Sequence, residues 1–277
     1  MKYGLNYFKI LLLLIPVIFY SCSDDTVSTP PAPPNVQNLV FLDSTYALGG
    51  RAAVLFYAED SLKVGYNKVY FVLYDSVTRN LMTDAHVEIL PLNHGHYCPV
   101  ENPDENAVEN KFPGAIILTA PQAADNNSNG YSVLHWHFTV MVHNHQAPGE
   151  PEGEAEFEGF TVRDNSDGFK SITMPDSTKL FLSYVSPKDP ATGVNDFEFT
   201  IHRNEPELFP YESGYSIDMT PEFLADGHTT SGNVNPAHSS IGHYNGRLSL
   251  DQNGAWRIKL RLTKNSLWYD TYFDINY

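Results

Sequence analysis

The chain is poor in positive charge, in cysteine and in helix-forming runs. Only 17 Lys+Arg stand against 33 Asp+Glu, a formal net charge of −16. That balance excludes a nucleic-acid partner, because too few cations are available to displace counterions from a phosphate backbone. The same surplus draws divalent cations or simply keeps the protein soluble. No G-x-S-x-G, no H-E-x-x-H and no phosphate-cradling glycine loop occurs, so no enzymatic activity is expected. The longest apolar run, ILLLLIPVIFY from Ile10, is too short to cross a bilayer comfortably. Downstream of it, no stretch of Ala, Leu, Glu and Lys repeats at helical period.

What is present begins with an export signal: MKYGLNYFK carries two lysines ahead of that apolar run, which ends in YSC. The stretch resembles the lipobox of bacterial lipoproteins, although Phe19 stands where that motif usually has Leu. The resemblance implies a signal peptide over 1–21 and acylation of Cys22, and so an outer-membrane lipid anchor with room for an envelope protein partner. Ser23, Asp24 and Asp25 resemble the acidic tag of surface-exported Bacteroidetes lipoproteins. The segment TVSTPPAPPNVQ reads as a polyproline spacer, giving a tether over 22–35. With Cys22 acylated, Cys98 is the only remaining thiol, and no intrachain disulfide can form.

The body of the chain is rich in β and turn formers, with 17 Tyr, 16 Phe, 18 Gly and 19 Pro. Short period-two runs bounded by Gly, Asn, Asp and Pro recur throughout. GYNKVYFVLYD from Gly65 and GVNDFEFTIHR from Gly193 alternate in one phase, with Val69, Phe71 and Leu73 answering Phe197, Phe199 and Ile201. VENP at 100–103 likewise answers NVNP at 233–236. The offset holds at about 128 residues over several such segments, the mark of a duplicated unit. The expected fold is all-β: two tandem immunoglobulin-like antiparallel β-sandwich domains, over 36–146 and 161–277. Between them PGEPEGEAEFEG, with glutamates at every second place from 150 to 158, reads as an acidic linker over 147–160 or a charged edge strand. The alternation Gly242-x-Tyr244-x-Gly246-x-Leu248-x-Leu250, followed by Gly254-x-Trp256-x-Ile258-x-Leu260, resembles the YtkA-like/FixH family. That resemblance implies an envelope β-sandwich, in some members linked to copper delivery. The Met- and His-rich stretch that often precedes the hairpin in that family is here reduced to Met219 and His228.

Histidine supplies the candidate chemistry. In LHWHFTVMVHNH, strand alternation places Leu134, Trp136, Phe138, Val140 and Val142 on a core face. His135, His137 and His143 then share the opposite face with Thr139 and Met141. A His-x-His pair there suits zinc or copper, or is only the wet side of an ordinary sheet. NHGHYCP places His94, His96 and Cys98 at alternate positions, a soft set for copper or zinc to which His86 adds a fourth donor; the alternative is that Cys98 is a small buried apolar group. In the second unit His228, His238 and His243, with Met219, stand at the corresponding place. The expectation is therefore an envelope lipoprotein binding copper, or else zinc, in homeostasis or delivery; the alternative is an adhesion or scaffold module without metal.

Overall fold

The computed structural model describes residues 36–93, 95–121, 136–205 and 208–277. The chain is all-β and folds as two immunoglobulin-like sandwiches in tandem. In the first, β1 (Val40–Ala47), β2 (Ala52–Ala58), β3 (Gly65–Asp75), β4 (Leu81–Met82), β5 (His86–Asn93), β6 (His96–Tyr97), β7 (Val100–Glu101), β8 (Phe112–Leu118), β9 (His137–His143) and β10 (Glu152–Phe157) form two sheets. One sheet has the order β1-β2-β3-β8-β7, with β4 paired to β3, and the other has β10-β9-β5-β6. The second sandwich comprises β11 (Phe169–Thr173), β12 (Lys179–Ser186), β13 (Gly193–Arg203), β14 (Ser216–Phe223), β15 (Val234–His238), β16 (His243–Leu250), β17 (Ala255–Lys264) and β18 (Leu267–Asn276). Its sheets run β11-β12-β13-β16-β15 and β14-β17-β18.

Superposing the two orders maps β1-β2-β3-β8-β7 onto β11-β12-β13-β16-β15 and β5-β9-β10 onto β14-β17-β18. The duplication extends to side chains that satisfy backbone groups. The Ile89 amide donates to Asn102 Oδ1 at 2.9 Å, and the Met219 amide donates to Asn235 Oδ1 at 2.9 Å. Asn67 and Asn195, each two residues into a long strand, fold back on the preceding turn by accepting from Lys63 N and Ala191 N. Trp136 and Trp256 lie buried beside and on the central strands β9 and β17, their indole N–H groups donating to Ala120 O and Gln252 O. Such pairs cap buried donors that would otherwise cost free energy, which is why they persist when surface residues diverge.

Alternation fills both cores. In the first, Phe56 stacks on Phe71 with 4.9 Å between centroids and meets Phe138, Phe157 and Phe160 edge-on or tilted. Phe199, Tyr244 and Phe273 occupy the second. The expected inward set Trp136, Phe138, Val140 and Val142 is buried as the alternation requires, while Leu134 lies outside the described residues.

The stretch expected as an acidic linker or a charged edge strand is the edge strand. Residues 152–157 form β10, paired with β9, and its glutamates face out while Ala155 and Phe157 face the core. Gly153 lies against Gly49 and Gly50, leaving no room for a Cβ, so this edge strand is clamped to the turn after β1. Phe160 and Val162 also belong to the first core. The first domain therefore runs past 146 to about residue 162, because apolar residues placed among the charges give that strip an inner face. No helix among the described residues is long and apolar enough to cross a membrane.

Candidate functional site

Three places gather polar side chains: the joint between the sandwiches, the outward face of β5-β9-β10 and that of β14-β17-β18. At the joint the chain is held by backbone and by one side-chain amide: Val64 N donates to Arg163 O, Arg163 N donates to Leu62 O, and Asn165 Nδ2 donates to Val64 O. Lys188 of the second sandwich pairs with Glu59 of the first. His243, at the start of β16, reaches Glu198 through Nδ1 at 2.6 Å and Glu101 of the first sandwich through Nε2 at 2.8 Å. Tyr66 packs edge-on to the imidazole and donates its hydroxyl to Glu101. Burial disfavours the charged ring, but hydrogen bonds and charge from Glu101 and Glu198 outweigh it, and the His243 pKa rises to about 9. The ring is then a cation bridging two carboxylates at neutral pH. Tyr66 is held protonated by burial and by Glu101. His202, buried nearby, goes the other way: desolvation lowers its pKa to about 4, Glu101 opposes that, and the His243 charge adds to it.

Among the described residues, the expected metal ligands do not gather. Cys22, His94 and His135 lie outside the described residues. His96 is exposed, whereas Cys98 is buried in the first core with its thiol pKa raised well above the ordinary value by burial. β6 ends at Tyr97, so strand alternation no longer governs Cys98, and the chain turns it inward beside Pro99. His137 is taken up by Glu156 of β10 and by Glu158 just beyond its end. Met219 is buried opposite Leu260, in the core position that Ile89 holds in the first copy. His228 lies between Asp226 and Asp251, hydrogen bonds that raise its pKa, and touches the rings of Phe223 and Trp256. His238 is exposed and leans on Tyr244, and His243 is committed to the joint. His143 does have imidazole neighbours: His145 edge-on at 4.8 Å between centroids, and His86 across the ladder. His145 is in turn bound to Asp84 at 2.8 Å. Among the described residues, no group of three or more His, Cys, Asp or Glu side chains has an arrangement able to hold a metal ion.

The outward face of β14-β17-β18 is missing from the sequence expectations. Register places Asp218, Arg261 and Asp270 in one cross-strand row, and Glu222, Arg257 and Asp274 in another. Arg257 grips Asp274 through Nε and Nη2 at 2.8 Å each and lies 3.8 Å over the Tyr272 ring. Arg261 grips Asp270 the same way and lies 4.4 Å over Trp268. The signal for it was present: WRIKLRL and LWYDTYFD place Arg or Lys on the outward phase of one strand and aromatic and acid on that of the next.

These features define a tandem immunoglobulin-like β-sandwich protein. No family model matches the chain, and no curated protein matches it. The YtkA-like/FixH resemblance therefore rests on strand alternation alone. Among solved structures, the chain is similar to domains 5–6 of the S-layer protein SbsC, at 9% identity and TM-score 0.29, covering 86% of this chain and 99% of that one. A DUF4785 family protein from Legionella pneumophila follows at 12% identity and TM-score 0.26, with 82% and 57% covered. The Escherichia coli adhesin FdeC follows at 15% identity and TM-score 0.23, with 85% and 65% covered. At scores this low, the fold assignment stands on the strand order above.

Proposed function

We propose that the chain is a membrane-tethered envelope module, without enzymatic activity, whose two sandwiches act as one stiff unit for adhesion or scaffolding rather than as a metal carrier. The observation that carries this reading is the joint, where the connecting strip is absorbed into the first core and His243 ties Glu101 to Glu198. A carrier needs donors free to bind and release an ion, and here His137, His145, His228 and His243 are already engaged by carboxylates, and His143 and His238 lie against rings. Outer-membrane anchoring through Cys22 is part of the proposal and rests on the N-terminal sequence pattern. Small-angle scattering of the purified protein at neutral pH tests it: one fixed two-domain shape, unchanged by chelator, is expected. A profile that demands a spread of interdomain orientations sinks the stiff-unit reading.

A second reading, copper or zinc binding, has one observation in its favour: His143 and His145 meet edge to face with His86 across the ladder. Competitive titration with Cu(I), Cu(II) and Zn(II) separates the two. Tight binding abolished by His143→Ala with His145→Ala establishes the second reading; its absence leaves the first.

A further inference from the structure

We infer that the outward face of β14-β17-β18 is a binding site for a neutral glycan chain, with Trp268 as its stacking platform and the Arg257–Asp274 and Arg261–Asp270 pairs as its hydroxyl-reading groups. The inference deepens the reading of the chain as an envelope adhesion module.

Charge argues against a polyanion and against a metal ion. The face sets three cations, Arg257, Lys259 and Arg261, on the central strand against four carboxylates, Asp218, Glu222, Asp270 and Asp274. A polyanion would meet more negative than positive charge, and a metal ion would find three of those carboxylates engaged by guanidinium or ammonium groups and Asp218 accepting from the Asn235 side-chain amide. Lys259 itself pairs with Glu222. What such a face offers is a set of fixed donors beside fixed acceptors, the complement of a hydroxyl, which both gives and accepts. Arg257 and Arg261 each spend Nε and one Nη on their carboxylate and keep further N–H donors free, and each carboxylate keeps lone pairs. Bidentate pairing and ring stacking immobilise these long side chains beforehand, which lowers the entropy lost when a ligand binds.

The apolar component is aromatic. Trp268 is 53% exposed although it lies in a regular strand. One side of its ring carries Arg261, and the rest is open to the C–H face of a sugar. Tyr272, 38% exposed, lies four residues along the same strand face, about 13 Å away at the strand rise; Arg257 and Lys170 lie over its ring, so it borders the site while Trp268 supplies the stacking surface. Between β14 and β18 the side chains leave a groove of about 500 Å³, floored by Lys259 and Leu260 and flanked by Asp218, Thr220 and Thr271. An open groove with Tyr272 in its wall and Trp268 beyond it on the same strand face fits a linear chain of several rings rather than a single small molecule.

The chain reports on this site by itself, because Trp136 and Trp256 are buried and Trp268 is exposed. The full chain is titrated, with tryptophan emission as readout, against maltohexaose, cellohexaose, an α-mannan and a β-glucan as neutral probes and heparin as the polyanionic one. The expected result is a saturable emission change with at least one neutral probe, indifferent to chelator and nearly indifferent to salt. Followed by calorimetry, that affinity falls at least about tenfold in Trp268→Ala, and Arg261→Ala weakens it while the circular dichroism stays unchanged. No response to any neutral probe, response to heparin alone with steep salt dependence, or binding that survives Trp268→Ala overturns the inference. Rigidity by scattering and absence of tight metal binding would be untouched by that failure, so the two proposals fail separately.

Discussion

The outward faces of β5-β9-β10 and β14-β17-β18 occupy equivalent places in the two sandwiches, on the same strand order, yet carry opposite chemistry. On the first, the central strand presents His137, Thr139, Met141 and His143, flanked by Glu152, Glu154 and Glu156 of β10. On the second, the central strand presents Arg257, Lys259 and Arg261, flanked by acids on both sides and by Trp268 and Tyr272. Imidazole pairs with carboxylate electrostatically only when protonated, whereas guanidinium pairs at every physiological pH. Beneath these faces the cores match, down to Asn102 and Asn235 bonding the amides of Ile89 and Met219. Packing and buried donors held the duplicated interior in place, while alternate outward residues were free to change.

The largest effect should come from testing whether the interiors are equivalent. Trp136→Ala and Trp256→Ala are each expected to cost about 3–5 kcal/mol, read by denaturant unfolding; a cost confined to one copy would break the equivalence. Next come Asn102→Ala and Asn235→Ala, each leaving a buried amide unpaired and costing about 1–3 kcal/mol. Hydrogen exchange should show the Ile89 and Met219 amides losing protection in their respective variants.

The joint gives a pH signature present in neither core. The His243 pKa is raised from 6.5 to about 9, so its stabilisation is complete below the unfolded value and lost as pH rises through about 9. His202 is lowered from 6.5 to about 4, so buried neutral imidazole destabilises the fold as pH falls across that interval. Unfolding midpoints measured from pH 4 to pH 10 should therefore decline at both ends, and Glu101→Gln should flatten the alkaline decline. The smallest effects belong to the two outward faces. Arg261→Ala and Glu156→Gln should each move stability by less than about 1 kcal/mol, because their ion pairs are exposed to water.

The fold was legible because it is written locally. Period-two runs and the Gly, Asn, Asp and Pro that bound them lie within a few residues of their structural consequence, and the offset between copies repeats that local pattern. The end of the first domain was less legible, since five glutamates masked the inward Ala155 and Phe157. Most of the site was not legible. The bond from His243 to Glu101 joins residues 142 positions apart, and no spacing rule reports such a partner. The alternation of His96 and Cys98 suggested a common face, but β6 stops between them and the thiol turns inward. The Arg–Asp face needed register, which pairs Arg257 with Asp274 and Arg261 with Asp270 only once the hairpin is closed.

Because Phe160 and Val162 are packed inside the first sandwich, the passage from one half to the other has no slack to give up. A pull applied at the far end, with the near end tethered, would load that passage directly. Extension there would require extracting two apolar side chains and parting the backbone bonds of Arg163 to Val64 and Leu62. Opening the seam would thus cost the first β-sandwich part of its own core.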